Sequence, residues 1–416
     1  MREPSDYQLY LHCKLVVGTS GRGAIYDLHT GRVFSVNQKS VQIIQHERAD
    51  DQGYWQKLEE TGLARQGDTT SVPEVEMPML REFNDKEATL KFVWCEITSD
   101  CNQRCLHCYG SFGKSEEYRT SPVNWDEVLE QSAQLGCKQV QFIGGEPLLV
   151  QDLLFELIAL AHQLDFSFIE VFTNGTLITP QVAQYFRDNR VHAAISIYSN
   201  HPEIHDSITQ QQGSFQGASK GLRLLAAEAV PVRVAVIAVA QNQDTLEATM
   251  DYARKCGARC TRPDVVRPTG RGSDCQLLPR PEIVARYAMR DHPNFSTGWK
   301  SFMEAKYWNT CWKGKCAITP TGDVLPCIFA RNTVAGNVNQ ISLASLVETM
   351  LPYWHTTLDK VAICQACEYR YACHNCRPLS ESATGDILGR NPRCTYDPYT
   401  GTWEGEKTND CNNVAR

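Results

Sequence analysis

An α/β fold is predicted for the middle of this 416-residue chain, with a small N-terminal module before it and a cysteine-rich segment after it. Three observations carry that expectation. From about residue 88 to 270, strand-like and helix-like stretches alternate, the pattern of repeated βαβ units around a parallel sheet. Before them, three short apolar runs precede two helical patterns. After residue 300 cysteine, glycine and aromatic residues rise and long periodic helices are scarce. That last segment is expected to fold around metals rather than around a large apolar core.

The elements follow in order. Leu11–Val17, Ala24–Leu28 and Arg32–Val36, with a turn at His29-Thr30-Gly31, predict a small antiparallel sheet. Asn37 caps a helix carrying Val41, Ile43 and Ile44, and a second helix near Trp55 and Leu58 stops at Gly62. Residues 65–80, with Pro73 and Pro78, read as a linker. Leu90–Thr98 is a strand. Asn124 and Glu127 open a helix that Gly136 ends. Val140–Ile143 is a short strand running into Gly144-Gly145-Glu146-Pro147, and Asp152 opens a helix with Leu153, Leu154, Leu157, Ile158, Ala161 and Leu164 on one side. Phe168–Phe172 is a strand ending at Thr173-Asn174-Gly175. A helix near Gln181–Phe186, a strand at Ala193–Tyr198 and a helix at Phe215–Ala227 follow. Val232–Ala240 is almost continuously apolar, as a strand covered on both faces should be.

Composition bounds the function. With 42% hydrophobic and 21% charged residues the chain is ordinarily globular, and a net charge of −7 gives no ground for nucleic-acid binding. Met1–Tyr7 lacks the apolar core of a signal peptide, and no apolar run is long enough to span a bilayer. A cytoplasmic location with reduced thiols is therefore expected, and disulfides are not.

Eleven of the 18 cysteines fall into two spaced arrays. The first is Cys101-x3-Cys105-x2-Cys108. The second comprises Cys311, Cys316, Cys327, Cys364, Cys367, Cys373, Cys376 and Cys394. Thiolates suit zinc, copper(I) or iron–sulfur clusters. For the second array alone, with its CxxC pairs, structural zinc is a fair reading. For CxxxCxxC it is poor, because three close ligands lack a fourth. Three thiolates can instead hold three irons of a four-iron cube and leave one iron open, and eight can complete two further cubes. Cys13, Cys95, Cys137, Cys256, Cys260, Cys275 and Cys411 belong to no array and read as structural. Trp299, Trp308 and Trp312 read as packing residues.

The first array, following a strand and ending His107-Cys108-Tyr109, closely resembles the signature of the radical S-adenosylmethionine (SAM) superfamily. The resemblance implies a partial (β/α)6 barrel. It also implies a four-iron cluster on Cys101, Cys105 and Cys108 that chelates SAM and cleaves it to a deoxyadenosyl radical. Gly144, Gly145, Glu146 and Pro147 match the element that contacts the SAM amino group. Asn174 and Ser196 stand where the family places further cofactor contacts. Val232–Ala240 shows no clear match to the family's fifth-strand motif.

The second array resembles the SPASM domain of peptide-modifying members. That resemblance implies one auxiliary cluster on Cys311, Cys316, Cys327 and Cys376 and another on Cys364, Cys367, Cys373 and Cys394. Two residues separate Cys373 from Cys376 where the family pattern has three. Ala24–Asn37 and the helix after it resemble a RiPP recognition element, a winged-helix module that binds leader peptides of ribosomally made, post-translationally modified peptides. The implied organisation is a leader-binding domain over 1–75, a barrel over 88–290 and a SPASM domain over 300–416. The implied enzyme modifies a precursor peptide by radical crosslinking, with three [4Fe-4S] clusters, SAM and an electron donor such as flavodoxin or ferredoxin. No catalytic base is identified. The rivals are an anaerobic sulfatase maturase, a non-catalytic peptide-binding iron–sulfur protein and a zinc scaffold. The first is weakened because Ile328-Phe329-Ala330-Arg331, with no acid, follows Cys327.

Overall fold

The structure, a computed structural model, describes residues 7–46, 51–66, 89–114, 122–260, 262–288, 295–374 and 376–403. Most of the expected linker (67–80) and Cys411 lie outside them. The chain forms two compact units that do not follow the three consecutive zones of the sequence. Unit 1 gathers Met1–Glu87, Arg290–Cys311 and His355–Arg416; unit 2 gathers Ala88–Met289 and Trp312–Trp354.

Unit 1 begins with β1 (Tyr7–Leu9), β2 (Cys13–Val17), β3 (Gly23–Asp27) and β4 (Val33–Val36). Then come α1 (Gln38–Ile44), α2 (Gln52–Glu60) and β5 (Ala64–Gln66). Strands β2, β3 and β4 form an antiparallel sheet in that order, and β1 pairs with β5, a pair the sequence did not suggest. Asn37 caps α1 by accepting from the Ser40 N–H at 2.9 Å, as its position predicts. Every residue of β3 is buried, because its alternate side chains serve two cores. Ile25 joins Val41, Ile43, Trp55 and Leu58 on one face. Ala24 and Tyr26 join Phe302, Tyr369, Ala372 and Tyr396 on the other. The N-terminal sheet is thus one wall of the core beneath the cysteine-rich segment.

Unit 2 is built on a nine-stranded sheet. Strands β6 (Phe92–Thr98), β7 (Gln139–Gly144), β8 (Phe168–Thr173), β9 (His192–Ser196) and β10 (Val232–Ala235) lie side by side in chain order. All are parallel. The helices between them are α3 (Trp125–Gln134), α4 (Gln151–Gln163), α5 (Pro180–Asp188), α6 (Pro202–Thr209) and α7 (Ser214–Ala227). After β10 the chain adds β11 (Ile237–Ala238), α8 (Leu246–Lys255), β12 (Arg259–Cys260), β13 (Asp264–Val265) and α9 (Pro281–Ala288). Strand β12 continues the parallel sheet beside β10.

Three expectations are corrected. The apolar run 232–240 is not one strand: β10 stays in the main sheet while β11 pairs with β13. Just past the break the Asn242 side chain holds the chain, donating to the Tyr198 and Ile237 carbonyls and accepting from the Val239 N–H. The segment after 300 is not all metal-organised. Strands β14 (Lys315–Ile318), β15 (Asp323–Leu325) and β16 (Gly336–Asn337) extend the main sheet, with β14 parallel to β6. Finally, Leu343–Trp354 is a twelve-residue helix burying Leu343, Leu346, Val347, Met350 and Trp354.

The sheet is two-faced. Val93, Cys95 and Ile97 of β6 and Ile169 and Val171 of β8 are at most 2% exposed. Their neighbours Phe92, Trp94, Phe168, Glu170 and Phe172 line open space on the opposite face. Period-two alternation therefore separates core from cavity along each strand.

Candidate active site

The loop Cys101–Cys108 leaves the carboxyl end of β6, and main-chain hydrogen bonds hold it from several directions. The Arg104 and Leu106 N–H groups donate to the Thr209 and Ile208 carbonyls at the end of α6, at 3.0 and 2.9 Å. Arg271 fastens the other side. Its backbone N–H donates to the Cys108 carbonyl at 3.0 Å, and its guanidinium to the carbonyls of Cys105 (2.8 Å) and Phe112 (2.7 Å). Asn102 reaches across to β8, donating to Thr176 at 2.9 Å and accepting from Asn174 at 2.7 Å. The three cysteines are thereby presented together on a fixed backbone.

Gly144 and Gly145 follow β7 and pass close under this loop. The Gly145 N–H donates to the Thr98 carbonyl at 2.8 Å, and a Cβ on Gly145 would stand 1.9 Å from the Asp100 carbonyl oxygen. Gly144 has φ +141, a conformation L side chains rarely adopt. Only glycine fits this crossing. Glu146 is fully buried beside the cavity and is not part of its lining. Its buried carboxylate accepts from the Thr173 hydroxyl (2.6 Å), the Asn174 N–H (2.7 Å) and the Leu148 N–H (3.1 Å). It ties the end of β8 to the end of β7. Pro147 is buried at the start of a 3-10 turn, Pro147–Val150.

Between these parts lies a cavity of about 170 Å³. Cys101, Cys105, Cys108, Gly144, Gly145, Asn174 and Ser196 all line it. His107 of the cysteine motif lines it too, as do residues that no local pattern marked: Gln103, Tyr198, Arg267, Ile328 and Phe329. Phe329 lies 4.3 Å beneath the Arg267 guanidinium, which is paired with Asp264. Behind the wall, fully buried Glu96 of β6 is ion-paired with Arg331, whose guanidinium lies 5.0 Å over the Tyr109 ring. Removing one partner of such a pair costs roughly 3–5 kcal/mol. Glu96, Arg271 and Arg331 are far from the cysteine loop in sequence or sit in unremarkable patterns, so nothing local announces them.

The electrostatics suit a metal-bound state. Burial pushes the Cys101 thiol up to about 12 and raises Cys105 further, with the neighbouring thiols adding to it. Metal binding must displace those protons. The residues fit a cluster with a polar guest: Gln103 Nε2 and His107 Nδ1 are buried among the lining without a partner in the protein. A single zinc ion fits less well. Zn–S bonds of about 2.3 Å place two sulfurs under about 4 Å apart. Among the described residues only His12, Cys13 and Asp27 bring three donor atoms within 4.8 Å of one another. There the Asp27 carboxylate is already engaged, closing a turn by accepting from the His29 and Thr30 N–H groups and the Thr30 hydroxyl.

The second array is distributed between the units. Cys364, Cys367, Cys373, Cys376, Cys394 and Cys311 belong to unit 1; Cys316 and Cys327 belong to unit 2. Cys364 and Cys373 stand close enough to Cys367 to act on its thiol, and Cys367 and Cys394 pack on one core. Cys316 belongs to β14. The register of β14 on β6 pairs it with Val93, on the covered face, and its thiol is fully buried beside Cys137 and Cys95. It is a core residue. Trp308 and Trp312 are at most 2% exposed, in keeping with packing.

Residues 95–256 match the radical SAM superfamily. The chain is 31% identical over 275 residues to the mycofactocin maturase MftC of Mycolicibacterium smegmatis, covering 61% of this chain and 68% of that one. It is 24% identical over 342 residues to an AdoMet-dependent heme synthase of Methanosarcina barkeri, covering 73% and 95%. Its fold is similar to that of Streptococcus suis SuiB bound to S-adenosylmethionine, with TM-score 0.55 and 13% identity over 93% of this chain and 99% of SuiB. SuiB bound to the precursor peptide SuiA matches with TM-score 0.53 and 14% identity, over 92% and 98%. No helix among the described residues is long and apolar enough to cross a membrane.

Proposed function

The chain belongs to the radical SAM superfamily, and we propose that it is a maturase modifying a ribosomally made precursor peptide. The observation that carries this reading is the cavity where the CxxxCxxC loop meets Gly144–Gly145 at the carboxyl ends of β6 and β7. When bound there, a four-iron cluster and SAM supply a deoxyadenosyl radical able to abstract hydrogen. Cys101, Cys105 and Cys108 hold three irons. Gly144 and Gly145 let the amino end of SAM approach the backbone, and Asn174 and Ser196 face the same space from β8 and β9. Glu146 and Pro147 set the shape of that crossing from behind. Phe172, Tyr198 and Phe329 make the wall apolar, which keeps water from a reactive radical.

A peptide substrate is favoured by two features. MftC is named a maturase, and SuiB has been crystallised with a precursor peptide. In addition, the described part of residues 1–75 holds two helices and a β2–β3–β4 sheet whose edge strands pair with no further described strand. We assign it as a recognition element of winged-helix type. A leader would add a strand at one of those edges, with backbone hydrogen bonds giving affinity. Cys364, Cys367, Cys373 and Cys394 would hold one auxiliary cluster, and Cys311, Cys316, Cys327 and Cys376 would serve another. With the SAM-binding cluster that makes three. A flavodoxin- or ferredoxin-like donor would supply electrons. The expected modification is a radical crosslink, thioether or carbon–carbon.

The test is anaerobic co-expression with a short leader-bearing peptide encoded beside the gene, read by mass spectrometry. A crosslink should appear as loss of two hydrogens from the core peptide. It should vanish, together with SAM cleavage, in the triple variant Cys101→Ala, Cys105→Ala, Cys108→Ala. SAM cleavage surviving in that variant would refute the site. A formylglycine product would favour the sulfatase-maturase rival. A peptide that binds the reconstituted wild type but is unmodified while SAM stays intact would favour a binding protein.

A further inference from the structure

Unit 1 contains a buried charge that no carboxylate answers. Arg377 is 1% exposed at the start of the helix Arg377–Thr384. Its guanidinium donates to the carbonyls of Ile387 (2.9 Å) and Gly389 (3.1 Å) and to the Ser380 hydroxyl (3.0 Å). These are neutral acceptors. The Nε–H has no partner, and Arg377 makes no salt bridge among the described residues. Asp386, the nearby acid, is exposed and accepts from the Leu388 N–H. A lone buried cation costs several kcal/mol unless an anion lies beside it. The turns around it carry cysteines. Arg377 directly follows Cys376. The 387–389 segment that its guanidinium grips also accepts, through the Leu388 carbonyl, from the N–H of Ala362 (2.9 Å), whose own carbonyl accepts from the Cys364 N–H (2.8 Å). Cys364, Cys376 and Cys373 act on its charge ahead of Asp386. As thiols they are neutral and leave the arginine uncompensated. As thiolates on a cluster they carry the missing negative charge.

We propose that Arg377 is the fixed counter-charge of the auxiliary cluster bound through Cys364 and Cys373, and that it raises that cluster's readiness to take an electron. This rests on the reading above that those cysteines ligate iron. One electron arriving on a thiolate-ligated cluster adds one negative charge, with no proton or bond exchanged. A guanidinium at fixed distance in a low-dielectric interior lowers the cost of that charge. The electron would come from the substrate radical as its new bond closes, the proton of the thiol or C–H partner leaving to solvent or a base. Arg377 is a positioning residue in this scheme and touches no substrate.

The test is a redox titration followed by electron paramagnetic resonance. It uses full-length reconstituted protein carrying Cys101→Ala, Cys105→Ala and Cys108→Ala, so that only auxiliary clusters contribute. Arg377→Gln should make reduction of one cluster at least tenfold less favourable, about 59 mV for one electron. Arg377→Lys, which keeps the charge but loses the fork, should stay close to the parent. Loss of iron in the glutamine variant with retention in the lysine variant also supports a charge role. Full iron with an unmoved potential in both overturns the proposal, as does equal loss of iron and folding in both. If the parent triple variant itself binds no iron, the auxiliary-cluster reading has failed instead, and the two failures are told apart.

Discussion

His107 and His205, packed around the cysteine loop, are held as neutral rings. Burial lowers each to about 4, with Arg271 contributing at His107. His205 Nδ1 accepts from the Tyr198 N–H at 3.2 Å, so its protonation would break a buried contact. The folded-state value lies below the ordinary 6.5. As pH falls from 6.5 towards 4 the unfolded chain takes up a proton that the native chain refuses. Stability is therefore full above 6.5 and lost on acidification, by up to about 1.4 kcal/mol per pH unit for this one group. Asparagine can still accept from the Tyr198 N–H without titrating. In His205→Asn the fall in unfolding free energy between pH 6.5 and 4, measured by urea titration, should be shallower by about that slope. Identical slopes in both proteins would show that His205 is not the neutral ring described. At this scale the cysteine spacing and the Gly-Gly pair were legible in the sequence because their chemistry is local. Arg271 was not, because it meets Cys105 across 166 residues. The burial of Cys316 was not legible either, because spacing says nothing about which face of a strand a thiol occupies.

Among the elements, β3 carries the least expected consequence. Its alternation puts Tyr26 against Phe302 at 5.0 Å, and the Tyr26 hydroxyl donates to the Glu368 carbonyl at 2.7 Å, between Cys367 and Tyr369. Tyr369 in turn donates to Ser35 of β4 at 2.9 Å. Deleting residues 1–75 would strip Ala24, Tyr26 and Leu28 from that core. The loss of several buried side chains, each of roughly 2–5 kcal/mol, should unfold the cysteine-rich segment and not merely remove a binding surface. Iron analysis of the truncated protein should show loss from the auxiliary sites while Cys101, Cys105 and Cys108 keep theirs. Full auxiliary iron in the truncated protein would mean the N-terminal sheet is dispensable to that core. Leader binding is better examined by proline substitutions along the leader, which remove single N–H donors from an added strand and leave the enzyme intact. Helix α6 shows why some elements escaped the sequence reading. It is eight residues long, opens at Pro202 and buries only His205, Ile208 and Thr209, too little periodicity to stand out.

Over the whole molecule, the two units differ in what stabilises them. Unit 2 has a broad sheet with an apolar face, whereas residues 355–403 of unit 1 hold five of the expected thiolate ligands within short turns and one eight-residue helix. Metal binding should contribute more to the second kind of folding than to the first. Hydrogen-exchange mass spectrometry before and after iron removal should therefore show faster exchange in 355–403 than in β6–β9. Uniform protection loss across both would contradict this division. The sequence by itself determined the chemistry and the local scaffold: the three-cysteine loop, the Gly-Gly pair and the alternation of strands and helices that builds a parallel sheet. Each depends on residue type and short-range period, which a linear reading preserves. Only the tertiary structure decided that residues 312–354 extend the main sheet, that Cys316 is core, that the N-terminal sheet walls the cysteine-rich segment, and that Arg377 is buried without a carboxylate. Those outcomes depend on which faces of distant elements are covered, and burial is set by the packing of the whole chain.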